Sequence, residues 1–269
     1  MPTNSCVPGL RSDHDGAVLR LTLDRADRRN AIDDVMLDAL IGHLSDAGTD
    51  ESVRVICIDA QGPDFCAGAD LIARNARGER KPRVGTIQRR LPNKANRLVP
   101  LMTQTQVPIV AVVRGWAAGL GFHIALAADF CVAAEDARFW EPFMARGFTP
   151  DSGAAWLLPR LIGLAKTRRL LMLGEEISGA TAAEWGIIHA AAPTDRLTAT
   201  AEELVTSLAQ APTVAVGLTK WLLHTGNGLD LERHLQNEAL ALELSSRSED
   251  FREGLTAFND KREARFEGR

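Results

Sequence analysis

The chain has 269 residues and a formal charge of −4, from 31 basic and 35 acidic side chains. It is long enough for one large core, or a core with an appendage, and its mild acidity gives no reason to expect nucleic-acid binding by the whole surface. No apolar run reaches the roughly 18 residues of a membrane span, and the absence of tyrosine excludes any mechanism built on a tyrosine acid or base.

Met1 to Leu10 shows no basic stretch leading into an apolar run, so a cytoplasmic protein without a secretory signal is expected. Cys6, Cys57, Cys66 and Cys131 are scattered and form no CxxC pair, which points to reduced, mostly buried thiols rather than zinc or disulfide chemistry.

Val18 to Asp24 alternates Leu19, Leu21 and Leu23 with Arg20 and Thr22, the pattern of a half-buried strand. Ile32, Met36, Leu37, Leu40, Ile41 and Leu44 follow at helical spacing, with Asn30 as the candidate cap. Val53 to Ile58, Ile109 to Val113 and Phe130 to Ala134 are short β-branched runs that suit strands buried on both faces. Leu120 to Ala128 is an apolar helix opening out of a glycine turn. From Thr198 onward the spacing predicts helices over Ala201 to Leu208, Thr213 to Leu223 and Leu229 to Leu244, then a charged tail with Phe251, Leu255 and Phe258 at helical spacing. Strands alternating with helices define an α/β fold with a boundary near residue 200.

Arg74 to Arg97 carries nine basic residues against the single acid Glu79. Such a segment is either a solvated loop or a docking surface for phosphate groups.

Two turns and one acid carry the chemical signal. Phe65-Cys66-Ala67-Gly68-Ala69-Asp70-Leu71 follows one buried strand, and Gly115-Trp116-Ala117-Ala118-Gly119-Leu120-Gly121 follows another. Small residues let a ligand approach the main chain, and a helix N-terminus presents unpaired N–H groups. One amide from each turn could hold a single thioester oxygen as an enolate forms. Each turn alone reads equally well as a tight structural turn. The second lacks the Gly-Lys-Ser/Thr ending of a phosphate loop and the glycine spacing of a dinucleotide fingerprint. His123, in the first turn of the helix, is either a proton carrier or a packed core histidine. Asp151, in Pro150-Asp151-Ser152-Gly153, is either an acid/base or a helix cap. Ser152 is not a nucleophile elbow, because Pro150 stands where a glycine is required.

Together these segments resemble the crotonase superfamily, the enoyl-CoA hydratases and isomerases, over nearly the whole chain. The likeness rests on Arg25 to Ile32, Phe65 to Leu71, Val107 to Gly115, Ala127-Ala128-Asp129, Ala137-Arg138-Phe139, Leu158 to Gly163, Ala183 to Ile188 and Ala257 to Arg262. The resemblance implies a spiral of ββα units over residues 1–200, binding acyl-CoA. It implies a helical oligomerisation region over 201–269 that builds a homotrimer or a dimer of trimers. It places the oxyanion donors on the backbone N–H of Ala69 and Leu120, where a leucine replaces the family's usual glycine. Ala67, Ala69 and Asp70 would line the adenine end of coenzyme A, Arg28 and Arg29 would lie near its phosphates, and Phe258 with Lys261 would reach a neighbouring subunit's ligand. Coenzyme A enters as part of the substrate, and neither a tightly bound cofactor nor a metal is implied.

The two glutamates typical of hydratases fall on His123 and Phe143, while Glu141 stands two residues away. Asp151 falls where some isomerases and dehalogenases of the family place an active-site carboxylate. The reading is therefore an enoyl-CoA isomerase using Asp151. The alternatives are a hydratase orienting water with His123 and Asp151 or with Glu141, and a non-catalytic acyl-CoA binder. Dehalogenation by attack of Asp151 is a more distant third enzymatic reading.

Overall fold

The computed structural model describes residues 5–70, 83–226 and 228–269. Among them the elements run β1 (Ser5–Val7), β2 (Gly9–Asp15), β3 (Val18–Asp24), α1 (Asp34–Ala47) and β4 (Val55–Ala60). Then come α2 (Thr86–Arg90), α3 (Leu98–Gln104), β5 (Ile109–Val113), β6 (Trp116–Ala118), α4 (Leu120–Ala127), β7 (Phe130–Ala134) and β8 (Arg138–Trp140). The rest are α5 (Ala154–Leu173), β9 (Ile177–Ser178), α6 (Gly179–Glu184), β10 (Ala190–Ala192), α7 (Leu197–Ala209), α8 (Thr213–Gly226), α9 (Leu231–Ser245) and α10 (Glu249–Asp260). The strands expected at 18–24, 109–113 and 130–134 occur with those bounds; the one expected at 53–58 starts and ends two residues later.

A seven-stranded sheet has the order β1-β2-β3-β4-β5-β7-β10, and a three-stranded sheet the order β6-β8-β9. In the large sheet β3, β4, β5, β7 and β10 run parallel, with Leu21 beside Ile58, Ile58 beside Ala111, and Ala111 beside Cys131. All four side chains are buried, as the continuous apolar runs require of a sheet covered on both faces. Because β4 and β5 are parallel neighbours, the segments leaving their carboxyl ends emerge at one edge, the usual place for ligands in such sheets. Those segments are the two glycine turns.

The small sheet completes the arrangement. β6 pairs in parallel with β8, Ala118 beside Trp140, so the chain after Trp140 starts next to the second turn. A single bridge between Cys66 and Ala117 ties the first turn to the same place.

Asn30 does not cap α1. Asp33 does, accepting from the N–H groups of Val35 and Met36 at 3.0 Å each. Asn30 is instead fully buried; its Oδ1 accepts from the Arg25 N–H at 2.7 Å and its Nδ2 donates to Gln61 O at 2.9 Å and Asp64 O at 2.8 Å. It pins the Arg25–Ala31 segment to the approach of the first turn, a role set by partners more than 30 residues away that helical spacing could not reveal.

Helix α7 packs on β4, β5 and β7. Helix α8 is anchored by Lys220, which is 5% exposed and donates to Asp129 Oδ2 at 2.6 Å and Val107 O at 3.1 Å. The same carboxyl oxygen accepts from the Ile109 N–H at 2.8 Å, so one buried ion pair joins the C-terminal helices to the central strand. Burial lowers the Lys220 pKa, and Asp129 opposes that shift. Along α9 and α10 the apolar residues Leu231, Leu235, Leu242, Leu255 and Phe258 stand exposed. Among the described residues no helix is long and apolar enough to cross a membrane.

Candidate active site

The first turn is held on both sides by main-chain bonds. The Ile32 N–H donates to Gly68 O at 2.8 Å and the Asp70 N–H donates to Ile32 O at 2.9 Å. In a parallel bridge of this kind the central residue, here Ala69, directs its own N–H away from the partner strand. Among the described residues that amide has no backbone partner. On the other side Ala118 donates to Cys66 O at 2.9 Å and Cys66 donates to Trp116 O at 2.8 Å.

The second turn carries Leu120 as the first residue of α4, where an N–H has no carbonyl four residues back to bond. Gly119, at φ +50°, sets the entry, and its own N–H donates to Trp140 O at 3.0 Å. The approach of the two turns is tightest at Gly68, whose φ is +96°. A Cβ there would lie 2.8 Å from Ala118 O and 3.6 Å from the Leu120 nitrogen. Only glycine fits, and the close approach brings the two amide-bearing segments onto one small volume.

That volume is a cavity of about 60 Å³ whose wall includes Ala69 and Leu120 together with Asp151. Asp151 is half-buried and is followed by two left-handed residues, Ser152 at φ +49° and Gly153 at φ +104°, which turn the chain into α5. It does not cap that helix through its side chain; Gly153 is the cap residue. Phe143 and Phe148 supply the aromatic part of the wall, ring centroids 5.4 Å apart and nearly perpendicular.

His123 and Glu141 lie behind this wall and not on it. Both side chains are fully buried, and His123 Nε2 is 3.2 Å from each carboxyl oxygen of Glu141. The imidazole stacks on Phe143 at 5.9 Å, with the rings 11° from parallel. Its Nδ1 is buried without a hydrogen-bond partner among the described residues. Burial holds the Glu141 carboxyl above its ordinary pKa, an effect that His123 opposes and the charge of Asp151 reinforces. The sequence hid this pairing because the partners are 18 residues apart on different elements. The available signal was chemical: a lone histidine in Gly121-Phe122-His123-Ile124 and a lone carboxyl in Phe139-Trp140-Glu141-Pro142-Phe143 each need a buried partner.

Of the residues expected to meet coenzyme A, Ala67 and Ala69 line the cavity. Asp70 is buried in an ion pair with Arg25 at 2.8 Å. Arg28 and Arg29 are exposed in the middle of the Arg25–Ala31 segment, Arg29 within 3.7 Å of Asp64. Phe258, 82% exposed, and Lys261 sit at the end of the last helix and do not line the cavity of this chain. Of the basic segment, Arg74, Arg77, Arg80 and Lys81 lie outside the described residues, while Arg90 pairs with Asp34 and Lys94 with Asp38 at 2.6 Å. Cys66 is fully buried and burial pushes its thiol up to about 12, so it packs rather than reacts. Among the described residues no cluster of three or more His, Cys, Asp or Glu side chains could hold a metal ion.

In this mixed α/β fold two main-chain segments, at Ala69 and Leu120, and the Asp151 carboxylate share one cavity. The sequence model of the enoyl-CoA hydratase/isomerase family matches residues 13–269. The 1,2-epoxyphenylacetyl-CoA isomerase of Escherichia coli is 36% identical over 253 residues, covering 94% of this chain and 95% of that protein. The 2,3-dehydroadipyl-CoA hydratase of the same organism is 32% identical over 252 residues, covering 94% and 96%. The crystal structure of an enoyl-CoA hydratase from Bacillus anthracis superposes with a TM-score of 0.89 at 29% identity, covering 97% of this chain and 100% of that one. The chain belongs to the enoyl-CoA hydratase/isomerase family, within the crotonase superfamily, and its fold is the crotonase fold with a C-terminal helical region.

Proposed function

We propose that the protein shifts a double bond in a short enoyl-CoA. Asp151 Oδ takes a proton from C2 of a 3-enoyl thioester. The electron pair moves into the conjugated system and onto the thioester oxygen, which accepts hydrogen bonds from the Ala69 and Leu120 N–H groups. Asp151 then returns the proton to C4, leaving the double bond between C2 and C3. Preorganised donors of this kind contribute roughly 2.7–4 kcal/mol each to an oxyanionic transition state. The single observation that carries this reading is the shared cavity, where Ala69, Leu120 and Asp151 meet in about 60 Å³.

Hydration, the other activity named among the relatives, would need a second group to orient water. The candidates the sequence offers, His123 and Glu141, are buried behind Phe143 with no exposed surface. In the proposed isomerase His123 and Glu141 hold the Phe143 wall in place, and Asp151 alone moves protons. The exposed leucines of α9 and α10 suit residues 201–269 to a homotrimer, in which Phe258 and Lys261 reach the ligand of a neighbouring copy.

Replacing Asp151 by Asn tests the assignment. Conversion of 3-hexenoyl-CoA to its 2-enoyl isomer should fall by about 10²–10⁴-fold, the span of a general acid–base group, and exchange of the C2 proton with deuterated water should fall with it. Undiminished turnover in the Asp151→Asn protein would remove Asp151 from the mechanism.

A further inference from the structure

We infer that Arg146 makes the acyl pocket selective for thioesters whose acyl group ends in a carboxylate. The proposal rests on the acyl-CoA reading above and adds the chemical class of the acyl group. Among the described residues two charged side chains line the cavity, Asp151 and Arg146. The remainder of its side-chain lining is apolar or small, with Leu91, Ala95, Leu120, Phe143 and Phe148 forming the apolar surface.

Arg146 ends the single 3-10 turn Met144–Arg146, and Gly147 at φ +72° turns the chain back toward Phe148. The Phe148 N–H donates to Phe143 O at 3.2 Å, so the backbone closes a small loop with Arg146 inside it and both aromatic rings at its ends. Arg146 therefore belongs to the aromatic wall, not to the Ala67–Ala69 turn.

Several arginines of this protein are paired, although among the described residues others such as Arg97 and Arg114 are not. Arg25 meets Asp70 at 2.8 Å, Arg20 meets Glu202 at 2.7 Å, and Arg169 and Arg262 each bond a glutamate in bidentate fashion. Among the described residues Arg146 has no ion pair, even with Asp151 on the same cavity wall. Arg146 is exposed, so an uncharged acyl tail filling the neighbouring pocket removes part of the guanidinium's hydration, with nothing to replace that water. A tail ending in a carboxylate replaces it with a charge-assisted, bidentate pair whose planar geometry suits arginine better than lysine.

The test compares saturated esters, whose binding needs no turnover: succinyl-CoA against butyryl-CoA, and adipyl-CoA against hexanoyl-CoA, by calorimetry on the full chain. The wild-type protein should bind the carboxylate-ended member of at least one pair tenfold or more tightly. Arg146→Gln should bring that ratio close to one, and Arg146→Lys should keep part of it. Because the readout is a ratio within one variant, partial loss of folded protein does not move it. Equal affinity within both pairs in the wild type overturns the proposal alone, as does a preference that survives Arg146→Gln. If the wild type binds none of the four esters, the acyl-CoA reading fails and the proposal falls with it.

Discussion

The two walls of the cavity are built by different means. The wall that carries the amides, Cys66 to Asp70 and Ala117 to Leu120, is fixed by reciprocal main-chain bonds between segments that are distant in sequence. The facing wall, Pro142 to Ser152, is held by short-range turns such as Arg146 N–H to Phe143 O at 3.1 Å and Ala154 N–H to Asp151 O at 3.3 Å, and much of it is exposed. The amides themselves are main chain and need only small residues around them. In the proposed reaction, one wall sets what the site can stabilise, and the other sets which atoms move and which acyl group fits.

The contrast predicts that damage to the amide wall reaches both stability and rate. In Gly68→Ala the new Cβ would meet Ala118 O at 2.8 Å in a backbone with φ +96°. Overpacking of this kind costs about 1–3 kcal/mol, and displacing a reacting group by an ångström costs on the order of 10²-fold in rate. Thermal unfolding and turnover of an enoyl-CoA should both decline in this variant. A protein as active as the wild type would show that the close approach of the turns is not needed.

Behind the facing wall the expected effect is smaller and depends on pH. The Glu141 carboxyl has its pKa raised, chiefly by burial, so the folded state keeps a proton that the unfolded chain releases near pH 4.3. The stability from that proton is fully present below about pH 4.3 and is lost as pH rises through the folded-state value. Glu141→Gln has no proton to lose. Its unfolding midpoint relative to wild type should therefore rise between pH 4 and pH 8, measured by circular dichroism. A difference that stays constant over that range would mean that Glu141 titrates as an ordinary carboxyl.

The two walls also differed in how far the sequence revealed them. The strands feeding the turns were legible because Ile109–Val113 and the apolar run at β4 are buried on both faces and carry β-branched residues. The turns were legible because Gly68 and Gly119 sit where a strand must give way to a site. The facing wall was not legible in the same way. Asp151 stood out only through the family likeness, since Pro-Asp-Ser-Gly also suits a cap. Arg146 and Phe148 carried no periodic signal, because irregular chain has no period to read. The His123–Glu141 pair depends on β6–β8 pairing, which aligns residues 22 positions apart, Trp116 with Arg138 through Ala118 with Trp140, and brings the end of β8 to the start of α4. Asn30 resembles a cap in the sequence for a related reason, as its side-chain amide donates to carbonyls that lie beyond any helical window.

Because a backbone amide cannot be deleted by changing its side chain, the oxygen it holds must be observed directly. Infrared difference spectra of a bound enoyl-CoA, with and without ¹³C at the thioester carbonyl, isolate that one C=O stretch. Two converging amides should move it to lower wavenumber than the same ester shows in water. A carbonyl band at its solution position, in a protein that demonstrably binds the ester, would contradict the account.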